Sequence, residues 1–178
     1  MGNIHHLAHA YQVISWVHLA DNRLPDALDA IEEAWKYAQL TNSRYCQLNT
    51  PLTFGRILFN TNQDTEAWKY IEISLTNASY IGNSYQAARA LEYMGYGYLR
   101  RGDYRNAYGA YEAAVERYLG PMYTGSVNRC KDSMTGIERM QTNPDAVVDF
   151  YRPAAENDNT LFYPPLQALA SERPFSHS

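Results

Sequence analysis

The sequence contains little cysteine and no long hydrophobic run. Only Cys46 and Cys130 occur among 178 residues. Two cysteines are too few for a disulfide framework, so we expect buried thiols in a reducing compartment. No apolar run reaches the roughly 18 residues that a membrane-spanning helix needs, and the first residues lack the basic and apolar regions of a secretory signal. These absences predict a cytoplasmic protein with no membrane partner.

An excess of positive charge is also missing. The chain has 15 Lys and Arg against 19 Asp and Glu, which gives a net charge of −4. Proteins that bind nucleic acid carry a basic patch or stripe, and this balance disfavours one. The composition, 46% hydrophobic and 19% charged, is that of a globular protein. We therefore expect a folded protein that does not bind nucleic acid.

The motifs of common enzyme and cofactor sites are absent as well. The sequence has no glycine-rich phosphate loop, no Gly-x-Ser-x-Gly elbow and no paired-carboxylate motif. His5 and His9 lie one helical turn apart and could bind zinc, but no third ligand can be nominated. Tyr93 and Tyr96 beside Glu92 could transfer protons, although aromatic residues at this density are more typical of packing. We expect no cofactor and no metal, and the sequence favours a binding protein over an enzyme.

A forty-residue repeat runs through the first two thirds of the chain. The segments 20–38, 60–78 and 100–118 align without a gap. A fixed period of this length is the signature of stacked helical repeats. The clearest columns are the alanines Ala27, Ala67 and Ala107, and the breaks Asn22, Asn62 and Gly102.

Each repeat has the pattern of two helices joined by a tight turn. The first helix carries Ile14, Val17 and Leu19 at helical spacing, which predicts an α-helix. Gly102 is expected to turn the chain with a positive φ, and Gly95 to mark a close crossing of two helices. The predicted helices span about 4–20, 24–41, 44–61, 64–80, 85–101 and 104–119, and a capping helix spans 125–141.

The third repeat resembles the tetratricopeptide repeat, in the long forty-residue variety of kinesin light chains and of NLR-like and MalT-like sensor regions. The matching residues are Gly95, Tyr98, Gly102, Tyr104, Ala107, Tyr111 and Ala114, in the order of the consensus. The second repeat keeps Gly55, Ala67 and Ser74, whereas the first has His18 where the consensus wants an aromatic residue.

The resemblance implies an all-α, right-handed superhelical solenoid of three helix-turn-helix repeats. The repeats span about 8–41, 48–81 and 88–121 and form, with the capping helix, a domain over 1–142. A partly ordered tail containing proline and aromatic residues follows at 143–178. We expect this tail to pack on the last helix or in the groove of the solenoid.

In such solenoids the first helix of each pair lines a concave groove. The resemblance therefore implies a protein or peptide partner and a place within a larger signalling protein. Arg56, Arg89 and Arg100 against Glu92 would make this groove locally cationic, so we expect acidic groups on the partner. Two alternatives stay open. The same groove could bind a small molecule or catalyse an unorthodox reaction, or the chain could self-associate through the solenoid ends or the tail. The predicted contact residues are Trp16, Asn49, Arg56, Asn60, Arg89, Glu92, Tyr96 and Arg100.

Overall fold

The computed structural model describes residues 4–143. These residues form helices joined by short turns, with no strand in the described range, which confirms the all-α prediction. The predicted tail, residues 143–178, lies outside the described residues except for Asn143. The helices are α1 (Ile4–Ala20), α2 (Leu24–Gln39), α3 (Arg44–Asn60), α4 (Asp64–Ile81), α5 (Ser84–Arg100), α6 (Tyr104–Arg117) and α7 (Thr124–Thr142), with a short 3-10 segment at Pro121–Tyr123.

The helix pairs α1–α2, α3–α4 and α5–α6 are joined by the same turn. Its central residue has a positive φ, 57° at Asn22, 59° at Asn62 and 72° at Gly102. Asparagine and glycine tolerate this left-handed conformation better than other residues. The next residue closes the turn by donating its backbone N–H to the carbonyl of the residue five positions earlier. This carbonyl lies near the end of the helix, where carbonyl groups lack a hydrogen-bond donor within the helix. These bonds join Arg23 to His18 at 2.8 Å, Gln63 to Leu58 at 2.9 Å and Asp103 to Tyr98 at 3.0 Å.

Small residues lie where the paired helices cross. A Cβ atom built on Gly95 would lie 2.9 Å from the ring of Tyr111, and one on Gly55 would lie 2.5 Å from Cδ1 of Ile71. Ser15, the equivalent residue in the first repeat, is fully buried. Glycine at these crossings is therefore required by close packing, as the sequence predicted for Gly95.

Pro51 lies inside α3, where it cannot donate a backbone hydrogen bond to the carbonyl of Gln47. Asn77 of α4 supplies the missing donor, with its Nδ2 at 3.0 Å from that carbonyl oxygen. The hydroxyl of Ser74 donates to the next carbonyl, that of Leu48, at 2.9 Å. A proline inside a helix is tolerated here because the neighbouring helix satisfies the open backbone acceptor.

The core surrounds α3, which is buried along most of its length. Each helix packs on the next along the chain, and α3 also contacts α1 and α5. The contact with α1 includes a hydrogen bond from Gln12 Nε2 to Thr53 Oγ1 at 3.0 Å. The contact with α5 includes the rings of Phe59 and Tyr96, whose centroids are 5.7 Å apart. Helices α1, α3 and α5 thus lie side by side, with α3 in the middle.

The last described helix, α7, lies where the sequence predicted a capping helix, and it packs on α6. Cys130 and Ile137 are fully buried in a cluster with Tyr111 and Ala114 of α6. Cys46 is buried as well, so both cysteines are core residues as predicted. Among the described helices, none combines the length and the hydropathy that crossing a bilayer requires.

The apolar residues of α1 do not all face the core. Leu19 is only 5% exposed, but Ile14 is 42% exposed and Val17 is 52% exposed. Of the three apolar residues whose spacing predicted this helix, only Leu19 is therefore buried. Helical spacing identifies an amphipathic helix, but it does not tell how many faces of that helix have neighbours.

Candidate binding site

The eight predicted contact residues all lie on the odd-numbered helices, but at different depths. Glu92, Tyr96 and Arg100 are buried polar residues of α5. The other five predicted residues are half-buried. They are Trp16 on α1, Asn49, Arg56 and Asn60 on α3, and Arg89 on α5.

Arg100 fastens the end of α5 to the turn between α3 and α4. Its Nε lies 3.1 Å from both carboxylate oxygens of Asp64, and its Nη2 donates to Asn62 Oδ1 at 2.8 Å. Its Nη1 also reaches the hydroxyl of Tyr96 at 3.4 Å. Only 5% of the arginine side chain is exposed. Arg100 and Tyr96 therefore have a structural role that the sequence did not indicate, and their contact with a ligand stays a prediction.

Glu92 joins α5 to the last part of the described chain. Its carboxylate accepts a 2.7 Å hydrogen bond from the hydroxyl of Tyr118 and a 3.3 Å bond from Nε of Arg129. Arg129 also donates from Nη2 to Ser126 Oγ at 3.0 Å. Sequence reasoning missed Tyr118 and Arg129. They lie 26 and 37 positions after Glu92 in the chain, and no spacing rule connects residues that are so far apart.

Burial raises the pKa of two tyrosines in these networks. The pKa of Tyr96 rises from 10.0 to about 12, mainly because the phenolate would lose its water, and the hydrogen bond from Arg100 opposes this shift. The pKa of Tyr118 is also raised, by burial first and by the negative charge of Glu92 second. Both hydroxyls therefore stay protonated in the folded protein when an exposed tyrosine ionises.

We expect the free energy of unfolding to fall as the pH rises from 10 towards 12. In this window the unfolded chain loses the Tyr96 proton and the folded chain keeps it, so stability drops by about 1.4 kcal/mol per pH unit. Below pH 10 both states hold the proton and this dependence disappears. When it is measured by urea denaturation across this pH window, the free energy of unfolding of Tyr96→Phe should fall less steeply with pH than that of the unmodified chain.

The control for this prediction is Tyr80→Phe, because Tyr80 is 92% exposed. Its removal should leave the pH dependence as it is in the unmodified chain. Equal slopes for Tyr96→Phe and Tyr80→Phe would contradict the assignment of the raised pKa to Tyr96.

Arg89 is the predicted residue whose setting best suits an anion. Its Nη1 lies 3.3 Å from Gln86 Oε1, and Gln86 is held in turn by donating to Asn49 Oδ1 at 2.9 Å. The guanidinium carbon lies 5.8 Å from the ring centroid of Tyr85. Burial lowers the pKa of Arg89, but the neighbouring tyrosines and the carboxylate of Glu92 together raise it by more, so the net shift is upward. Within residues 4–143, no carboxylate lies within ion-pair distance of Arg89.

An aromatic cluster adjoins Arg89. Tyr85 stacks on Tyr123 with ring centroids 4.8 Å apart, and Tyr118 lies 5.9 Å from Tyr123 and 6.0 Å from Tyr85. A guanidinium beside aromatic rings combines an anchor for a carboxylate with a surface for apolar or planar groups. Tyr123 lies in the 3-10 segment, which the helical periodicity did not reveal.

Trp16 makes a hydrogen bond between two helices, and Asn60 makes one within its own helix. Trp16 donates from Nε1 to Thr53 Oγ1 at 3.2 Å, and Asn60 donates from Nδ2 to the carbonyl of Arg56 at 2.9 Å. Trp16, Arg56 and Tyr96 occupy equivalent positions in the three repeats. Their role in binding stays a prediction. In the described part of the chain, no group of three or more metal-ligating side chains comes together.

Neither the models of known protein families nor the curated proteins match this sequence. The function proposed below therefore depends on the residues and their geometry.

Proposed function

We propose that the chain is a protein–protein interaction module built as a right-handed, tetratricopeptide-like solenoid. Its three repeats hold a peptide or a partner helix in the groove formed by α1, α3 and α5. Two features of the fold support the solenoid. The turns at Asn22, Asn62 and Gly102 share one backbone geometry, and α3 contacts both α1 and α5.

The observation that carries the binding role is the setting of Arg89. A guanidinium has five N–H donors, and the described residues supply one acceptor, the neutral amide of Gln86. The side chain is already held in place, which reduces the entropy that a ligand must overcome. A carboxylate can take two of the open donors in a bidentate pair.

The partner that fits this site carries a carboxylate next to an apolar or aromatic group. The carboxylate pairs with Arg89, and the neighbouring group lies against Tyr85 and Tyr123. The amide of Asn49 and the side chains of Arg56 and Trp16 extend the contact along α3 and α1. A peptide running across the odd-numbered helices would meet all of them.

The proposal is tested by selecting a random peptide library on the protein and measuring the affinity of the selected peptides. We expect Arg89→Ala to weaken binding by about 10- to 100-fold, the value of a charge-assisted hydrogen bond. Arg89→Lys should recover only part of it, because lysine lacks the planar fork. Replacing the carboxylate of the peptide by an amide should have an effect similar to Arg89→Ala.

The matched control is Arg105→Ala, because Arg105 is exposed on α6, outside the odd-numbered helices. It should bind the peptides as the unmodified protein does. Selection of peptides without any carboxylate, or equal affinity of the Arg89→Ala and Arg105→Ala variants, would refute the proposal.

A small planar anion is the second candidate, and the stacked pair Tyr85 and Tyr123 beside Arg89 favours it. The two candidates differ in how the binding energy is distributed. A peptide should also lose affinity with Arg56→Ala, since it extends along α3. A small molecule held at the aromatic cluster should depend on Arg89 and Tyr85 alone.

A further inference from the structure

One side of α1 presents a continuous exposed apolar stripe, hereafter the α1 seam. It consists of Leu7, Ala10, Ile14 and Val17, spaced three and four residues apart. All four are exposed, and Ile4 and Val13 flank them as further exposed apolar residues. Such spacing places side chains on one face of a helix and is typical of a helix that packs lengthwise against another helix.

The forty-residue repeat identifies the residues of α3 and α5 that correspond to the α1 seam, and these residues are in contact with other helices. Thr50, Phe54 and Ile57 of α3, which correspond to Ala10, Ile14 and Val17, are buried. In α5, Gly97 corresponds to Val17, and a Cβ atom on it would lie 2.8 Å from the ring of Trp68 in the preceding helix α4. The column that is exposed in α1 is therefore a helix-packing surface in the later repeats.

The opposite end of the described fold is already covered. The outer side of α6 packs against α7 through Cys130, Ile137 and Met140. Head-to-tail stacking, which would place α6 of one copy on α1 of the next, is thus blocked by α7. Among the described helices, α1 carries the most exposed large apolar residues, so the surface of a second copy that best matches the α1 seam in length and apolar character is its own α1 seam. Contact between identical surfaces gives a closed two-fold dimer.

We propose that the α1 seam is the interface of a homodimer in which two α1 helices pack antiparallel. In this arrangement Leu7 faces Val17 of the second copy, and Ala10 faces Ile14. The small alanine lies opposite the larger isoleucine, so the two surfaces fill each other's spaces. Helix α1 contains no Asp, Glu, Lys or Arg, so no fixed like charges oppose the approach of two copies.

The interface is small. A helix of 17 residues is about 25 Å long, and a single helix pair buries less than the roughly 800 Å² per partner of a standard interface. We therefore expect a dissociation constant in the micromolar range, so that monomer and dimer are both populated within about a hundredfold range of concentration.

The test is sedimentation equilibrium of the full chain over that range, for the unmodified protein and two matched variants. Ile14→Glu places a charge in the α1 seam and should weaken dimerisation by more than about tenfold. Ile73→Glu is the control, because Ile73 is an isoleucine of similar exposure, 37%, on α4. It should dimerise as the unmodified chain does. Circular dichroism checks that both variants fold. If Ile14→Glu does not fold, it is replaced by Val17→Lys, which changes the most exposed large apolar residue of the α1 seam.

The register of the helices is tested by a second variant, Ala10→Lys combined with Ile14→Glu. In the antiparallel arrangement each lysine faces the glutamate of the other copy, so dimerisation should be stronger than for Ile14→Glu alone. A protein that stays monomeric at every concentration would overturn the proposal. Equal dimerisation of the Ile14→Glu and Ile73→Glu variants, or assemblies that grow beyond a dimer, would overturn it as well.

Discussion

We expect Arg100→Ala to lower the free energy of unfolding by about 2–4 kcal/mol, one of the two largest effects of a single substitution considered for this chain. Removing one partner of a buried ion pair costs about 3–5 kcal/mol, because the other charge is left without compensation. Asp64 is 28% exposed, so water can solvate part of its charge and we expect a cost about 1 kcal/mol below this range. The substitution also takes a donor from Asn62.

The measurement is urea denaturation of the Arg100→Ala variant beside Arg105→Ala, an exposed arginine that should change stability by less than about 0.5 kcal/mol. A double-mutant cycle with Asp64→Ala isolates the pair, and the coupling between the two positions should exceed about 1 kcal/mol. If Arg100→Ala is no more destabilising than Arg105→Ala, the α5 contact to the α3–α4 turn does not stabilise the fold as described.

This prediction bears on any test of the groove. Arg56, Arg89 and Arg100 look alike in the sequence, and replacing all three together would seem a direct test of binding. In the structure Arg100 holds two parts of the fold together, whereas Arg89 meets a neutral amide. A triple variant would combine lost binding with lost stability, so Arg89 must be replaced alone.

The second large effect is expected for Gly97→Ala, which should lower the free energy of unfolding by about 1–3 kcal/mol. Alanine has the higher helix propensity, by about 1 kcal/mol, so the propensity argument alone predicts stabilisation. The packing argument predicts the opposite. The added Cβ would lie 2.7 Å from Cζ of Phe59 and 2.8 Å from Cζ2 of Trp68. These are rigid, buried rings that meet edge to face, so neither can move away alone.

Gly109→Ala is the matched control for this prediction. Gly109 lies inside α6, and a Cβ atom built on it meets nothing within 4 Å. With no clash to oppose the propensity gain, this variant should be more stable by about 0.5–1 kcal/mol. Thermal and urea unfolding of the two variants should therefore shift in opposite directions. Stabilisation by Gly97→Ala would show that α4 and α5 separate more easily than their packing indicates.

The sequence alone was sufficient to place the helices and their turns. The period of forty, the apolar spacing and the breaks at Asn22, Asn62 and Gly102 located the six repeat helices to within two residues at each end. These are local properties, because a helix and its turn are decided by dihedral preferences and by hydrogen bonds within a few residues. The close crossing at Gly95 could be predicted because the repeat shows which columns stay small.

Only the tertiary structure decided which polar residues serve the fold and which are available to a partner. Glu92, Tyr96, Arg89 and Arg100 follow one another on α5, and nothing in their spacing separates them. Their roles differ because their partners come from far along the chain, Asp64 for Arg100 and Arg129 for Glu92. The exposure of Ile14 and Val17 has the same origin. The sequence determines the type of a residue and its position on a helix. Its contacts with residues far along the chain are determined only when the helices pack together.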